Sequence, residues 1–171
     1  MERAGKPALF SEFERARAQE GIYMEILNID VGLKSYQLVE GGAPLIFNPG
    51  DPNVYARYRD ALDEIETLEK DMVAKAQTVD ETENSTEALT LLRETDRKAK
   101  EILSGIFGGN NDFDAILCGV NLMAVTSSGA RVIENLMDAL NPIMVEGAKA
   151  CASDEVQRAK EAREQRREEG V

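Results

Sequence analysis

Leu103 to Met144 read LSGIFGGNNDFDAILCGVNLMAVTSSGARVIENLMDALNPIM, and this stretch decides the fold class. Apolar residues at helical spacing flank a junction dense in glycine and asparagine. Gly108 suits a left-handed helix terminator, and Asp112 suits the cap of a following short helix, expected over 112–123. Thr126-Ser127-Ser128-Gly129 interrupts the chain again. A further helix is expected over 129–150, with Val132, Ile133, Leu136, Leu140, Ile143 and Met144 inward. Pro142 lies inside it, where the missing N–H should kink or stop the helix.

Working upstream, Leu89, Leu92, Thr95, Ala99, Ile102 and Ile106 repeat at three and four, which predicts a helix over 85–106. Before it, Asn48-Pro49-Gly50-Asp51-Pro52 is a stop-and-start signal, with Asp51 as cap and Pro52 at the first helical position. The helix that follows, over 51–77, carries Val54, Tyr58, Leu62, Ile65, Leu68, Met72 and Ala76 on one stripe. A rod with one apolar stripe packs against another rod, so the two helices read as an antiparallel hairpin joined by the acidic linker 78–84. Residues 22–48 hold short runs of β-formers separated by Gly32 and Gly41-Gly42, which predicts two or three strands of a small antiparallel sheet. Phe10 and Phe13 give residues 1–21 the pattern of a short helical arm closed by Gly21.

Downstream the character changes. Residues 151–171 are charged and lack a core-facing stripe, so they read as a helical or disordered tail supported by pairs such as Asp154–Arg158 and Lys160–Glu164. The architecture expected is therefore mainly α (α+β): a single α-rich domain over 22–150, a helical bundle with a small N-terminal β element, between an arm and a tail.

Composition narrows the function classes. A hydrophobic content of 43% supports a real core, and 5% aromatics with no Trp imply an aliphatic one. The net charge of −12 disfavours nucleic-acid binding, because counterion release rewards cationic surfaces. The absence of His removes Ser-His-Asp, Cys-His and zinc-His sites. Cys118 and Cys151 sit in helix-like surroundings and read as small packing residues of a reducing cytoplasm. No secretory signal opens the chain, and the apolar stretch Ala115 to Val125 is too short to span a bilayer. The loop Gly108 to Asp112 with Asp114 lacks the alternating acids and distal Glu of a calcium loop, and helix capping accounts for the same residues. Asn121 and Asn135 read as structural amides, and Met24, Met72, Met123, Met137 and Met144 as core filling. Tyr55 and Tyr58 with Arg57 and Arg59 have too little cationic company for a nucleic-acid platform. No catalytic, cofactor-binding, metal-binding or partner-binding residue is assigned, and the chain reads as a non-enzymatic protein.

Leu45-Ile46-Phe47-Asn48, Asp51, the Tyr55–Tyr58–Leu62 helix, Ile106-Phe107-Gly108, Asp112-Phe113, Gly119-Val120-Asn121 and Gly129 to Leu140-Asn141-Pro142 together resemble a family of small siphophage and prophage tail-module proteins, described as tail assembly chaperone-like. The likeness covers about residues 36–150. It implies a helical adaptor with a small β element, acting in the host cytoplasm on an aggregation-prone tape measure protein. No cofactor, nucleic acid or membrane is expected, and a homo-oligomer is. Two other readings compete: an acidic inhibitor of a host defence system (anti-CRISPR or anti-restriction type), which would use the carboxylates of 60–71 and 80–87, and a minor structural component of the virion.

Overall fold

Asp51 accepts a hydrogen bond from Asn53 N at 2.8 Å through its carboxylate, and Pro52 follows at the first helical position. These two residues start α1, Pro52–Ala76. The computed structural model describes residues 25–78 and 85–168; the chain divides into two units after Asp30, and of the first only residues 25–30 are described. The expected arm over 1–21, the start of the sheet region (22–24) and most of the linker (79–84) lie outside the described residues.

In the second unit, α2 (Ser85–Phe107) packs antiparallel to α1, since Arg57 near the start of α1 donates from Nε to the Ile106 carbonyl near the end of α2. Val54, Tyr58, Ala61, Ile65 and Met72 face Ala99, Leu103 and Ile106 in one buried cluster. Leu89, expected inward, is exposed. The inward stripe of α2 begins only at Thr95, with Leu91 and Leu92 half-buried before it.

β1 (Lys34–Tyr36) and β2 (Leu45–Phe47) pair antiparallel in the register Lys34↔Phe47 and Tyr36↔Leu45. Leu45 and Phe47 are buried and Ile46 is exposed, the period of two that a one-sided strand requires. The core is not wholly aliphatic. Tyr36, Phe47, Phe107 and Phe113 form a chain of rings at centroid distances of 5.2, 4.7 and 6.1 Å, which carries the sheet onto the end of α2.

Gly108, at φ 90, ends α2 and donates to the Ser104 carbonyl. Asp112 then caps α3, which covers only Phe113–Ile116 instead of the expected 112–123. The shortening has a physical cause. Cys118 (φ 53) and Gly119 (φ 74) are both left-handed and turn the chain back. Beyond them the backbone finds better partners than a continuing helix offers: Leu122 N donates to Asp96, Met123 N donates to Asn121, and Leu122 O accepts from Ile133 N. That last bond satisfies one of the orphan donors at the start of the next helix.

This helix, α4, runs without a break from Val132 to Glu168 and absorbs the region read as a separate tail. Pro142 does not stop it. The proline is exposed, so the carbonyl it leaves unbonded lies on the wet side, while Leu140 and Met144 beside it are fully buried. α4 runs antiparallel to α1: Arg131 lies by Glu69, Asn141 by Tyr58, and Gly147 by Pro49. A Cβ at Gly147 would stand 1.9 Å from the Pro49 carbonyl, so only glycine permits this approach.

Candidate functional site

α2 points Asp96 and Lys100 toward α3, and there the Lys100 ammonium donates to Asp96 at 2.8 Å and to Asp114 at 2.6 Å. Burial alone would pull the Lys100 pKa down, but the hydrogen bonds to Asp114 and Asp96 prevail and hold it above the ordinary 10.5. The other Asp96 oxygen accepts Leu122 N at 2.7 Å. The α2 helix, the short α3 and the irregular segment at Leu122 are thus tied together by one lysine and one aspartate. The hollow beside this knot, about 780 Å³, is lined by Arg93, Arg97, Glu101, Ser104 and Asp112, charges of both signs. Phe113 adds an apolar wall, and the most buried cation of the lining, Lys100, is already committed to two carboxylates. The knot acts as structural cement between these segments.

Asn111 performs a second tying role that its sequence context did not disclose. Its amide accepts Ile46 N at 2.8 Å and donates to Ile46 O at 2.9 Å and Phe107 O at 2.8 Å. One side chain therefore imitates a third strand on the inner edge of β2. Because both backbone groups of Ile46 face Asn111, those of its partner Ser35 face the opposite, outer edge of β1. In the sequence Asn111 shows only as part of the Gly108–Asp112 junction, whose residues helix capping also accounts for.

The residues singled out by sequence disperse over the fold. Cys118 is exposed and Cys151 half-buried, so neither is the core packing residue expected. The left-handed backbone at Cys118 turns its side chain out of the α3 face. Asn121 serves irregular backbone, donating to Leu92 O and accepting Met123 N. Asn135 is exposed and lies 3.5 Å from the Thr126 hydroxyl. Met72, Met123 and Met144 are buried and Met137 is half-buried, as core filling requires; Met24 lies outside the described residues. Tyr58 is buried, its hydroxyl 3.5 Å from Asn141, and burial followed by nearby Asp138 raises its pKa. With Arg57 bonded to Ile106 O, no aromatic-basic surface forms around it. Among the described residues no three of His, Cys, Asp and Glu converge as a metal site would need, and no helix is long and apolar enough to cross a membrane.

What the surface does present is apolar. In the first unit Ile26, Leu27 and Ile29 are 81, 81 and 71% exposed; in the second, Val31 and Leu33 are 49 and 58% exposed. Residues 25–33 are neither helix nor strand. The other exposed feature is the last half of α4, where every residue from Ala152 to Glu168 faces solvent. Comparison with protein-family models, with characterised proteins and with solved structures finds nothing that matches this chain.

Proposed function

We propose that this chain acts by binding another protein, as a phage tail assembly chaperone that shields a tape measure protein in the host cytoplasm. One observation supports the reading above the rest: three large apolar side chains of the first unit, Ile26, Leu27 and Ile29, stand exposed within four consecutive residues. Single exposed hydrophobics need no explanation, but a run of them on an acidic protein marks a surface that a partner covers. Long helices with apolar stripes are the chemistry such a run would take up.

Co-expression with the tape measure protein of the same phage tests this directly. The soluble fraction of that protein should rise, and the combined Ile26→Asp, Leu27→Asp, Ile29→Asp variant should lose the effect while keeping its helical circular dichroism. No rise in solubility with the parent chain overturns the reading.

A further inference from the structure

The bare half of α4 is sorted by charge. Between residues 152 and 168 five acidic and five basic side chains balance, so the whole of the chain's −12 resides elsewhere. At about 3.6 residues per turn, Ala152, Val156, Ala159, Arg163 and Arg167 fall on one face. Lys160 and Arg166 flank them. Asp154, Glu161, Glu164 and Glu168 fall on the opposite face, where Arg158 also lies, with Glu155 at the edge of the first. The result is a small-and-basic stripe roughly 22 Å long, at about 1.5 Å per residue. Neither sequence-expected pair, Asp154–Arg158 nor Lys160–Glu164, is among the ion pairs the described residues form within 4 Å. Among the described residues the stripe's cations form no ion pair along their own helix, although Arg166 donates to the Ala162 carbonyl.

The matching surface is the outer face of α1. Ala56, Asp60, Asp63, Thr67, Asp71 and Ala74 recur every third or fourth position and are all exposed. Small residues alternate with carboxylates along this ridge, and none of its three aspartates forms an ion pair among the described residues. Lys70 at its margin is held by Glu66.

The arm cannot lie on its own ridge. α4 runs antiparallel to α1 and has reached Pro49, beyond the first residue of α1, by Gly147. From there one uninterrupted helix carries residues 152–168 further away. We infer that the basic stripe of this arm docks on the Asp60–Asp71 ridge of a second copy of the chain. Small residues on both stripes let the helices approach, and the cations face carboxylates of opposite charge. Two copies of the bare arm cannot satisfy each other by a two-fold contact, which would set basic stripe against basic stripe. Reciprocal exchange of arm and ridge closes a dimer.

Light scattering on the eluting full-length chain, at about 50 μM and about 50 mM salt, should report a dimer. Raising salt to about 500 mM should weaken its Kd about ten- to hundredfold, as expected for several exposed ion pairs. The arm variant Lys160→Glu, Arg163→Glu, Arg166→Glu, Arg167→Glu should be monomeric, and so should the ridge variant Asp60→Lys, Asp63→Lys, Asp71→Lys. Mixing the two variants should restore a heterodimer. Should the ridge variant lose its circular dichroism, the softer Asp60→Asn, Asp63→Asn, Asp71→Asn chain replaces it, again expected to be monomeric. A parent chain that stays monomeric, a dimer that survives either reversal, or a mixture that fails to associate overturns the exchange. Each of these leaves the tape measure reading standing, since that is decided by solubility on co-expression.

Discussion

The two halves of α4 share one helix and obey different physics. From Val132 to Cys151 the helix is held by what it covers: Ile133, Leu136, Leu140 and Met144 are buried, and Gly147 brings its backbone against Pro49. From Ala152 to Glu168 nothing is covered, and the helix continues on propensity alone, with Ala, Glu, Arg, Lys and Gln at most positions. Propagating a helix already nucleated by packing costs little per residue, whereas starting one would not. Sequence read alone sets a boundary where the apolar stripe ends; the backbone recognises no boundary there, because stripe and helix are separate properties.

The sharpest way to break the comparison is to cut one side chain in each half. Leu140→Ala removes a fully buried side chain and should lower stability by about 2–5 kcal/mol, read as urea midpoint. Val156→Ala, at 56% exposure within one chain, should change it by less than about 0.5 kcal/mol when made in the Asp60→Lys, Asp63→Lys, Asp71→Lys background, where no arm is docked. Equal effects would mean that the bare half is packed in the chain as it exists in solution, and would require the arm to be covered before unfolding.

Gly147→Ala tests the covered half at its last contact. The new methyl would meet backbone, which cannot rotate away, so α4 must shift from Pro49 at a cost of about 1–3 kcal/mol, visible as a lower Tm. If helix propensity decided this half as it decides the other, alanine would instead stabilise it by about 0.5–1 kcal/mol. The sign of the change therefore says which physics holds at residue 147.

Pro142→Ala gives a smaller change of opposite sign. It returns an N–H to the helix at an exposed position and should raise stability by about 1–2 kcal/mol, less than the full proline penalty because proline also restricts the unfolded chain. A Tm unchanged or lowered would show that the proline shapes a bend the packing needs.

How much of this was legible beforehand follows the same division. The start of α1 at Asp51-Pro52, its stripe through Val54, Tyr58, Ile65 and Met72, and the inward face of α4 were all readable, because capping and periodicity are local. The hairpin followed from them, and the small sheet from runs of β-formers separated by Gly32 and Gly41-Gly42. Gly108 as terminator and Asp112 as cap were readable because capping is local, but the rest of the segment from Gly108 to Arg131 was not. Its conformation is set by partners distant in sequence: Asn111 on Ile46, Asp96 on Leu122, Ala115 on Ala43. No window of neighbouring residues encodes such bonds. The candidate surfaces split likewise. The charge sorting of residues 152–168 is written in the sequence, while the direction in which α4 carries it depends on Gly147 at Pro49, which only the fold displays.

The smallest effect lies at the beginning of α4, where Glu69 of α1 faces Arg131 at 3.8 Å. One Glu69 carboxylate oxygen is sealed from solvent without a hydrogen bond, and its pKa is raised above 4.5, first by this burial and then by Glu134, with Arg131 opposing both. A carboxylate whose pKa rises on folding binds its proton more tightly in the folded state, so stability declines as pH climbs from 4.5 through the raised value. Glu69→Gln removes the titration. The variant should match the parent near the acid end of that window and exceed it at neutral pH, by less than about 1 kcal/mol because the side chain keeps 27% exposure and solvent screens it. Urea midpoints of both chains at the two pH values give the answer. A variant weaker than its parent at neutral pH would show that Arg131 is a true partner and that the first turn of α4 is held by charge as well as by the burial of Ile133 and Leu136.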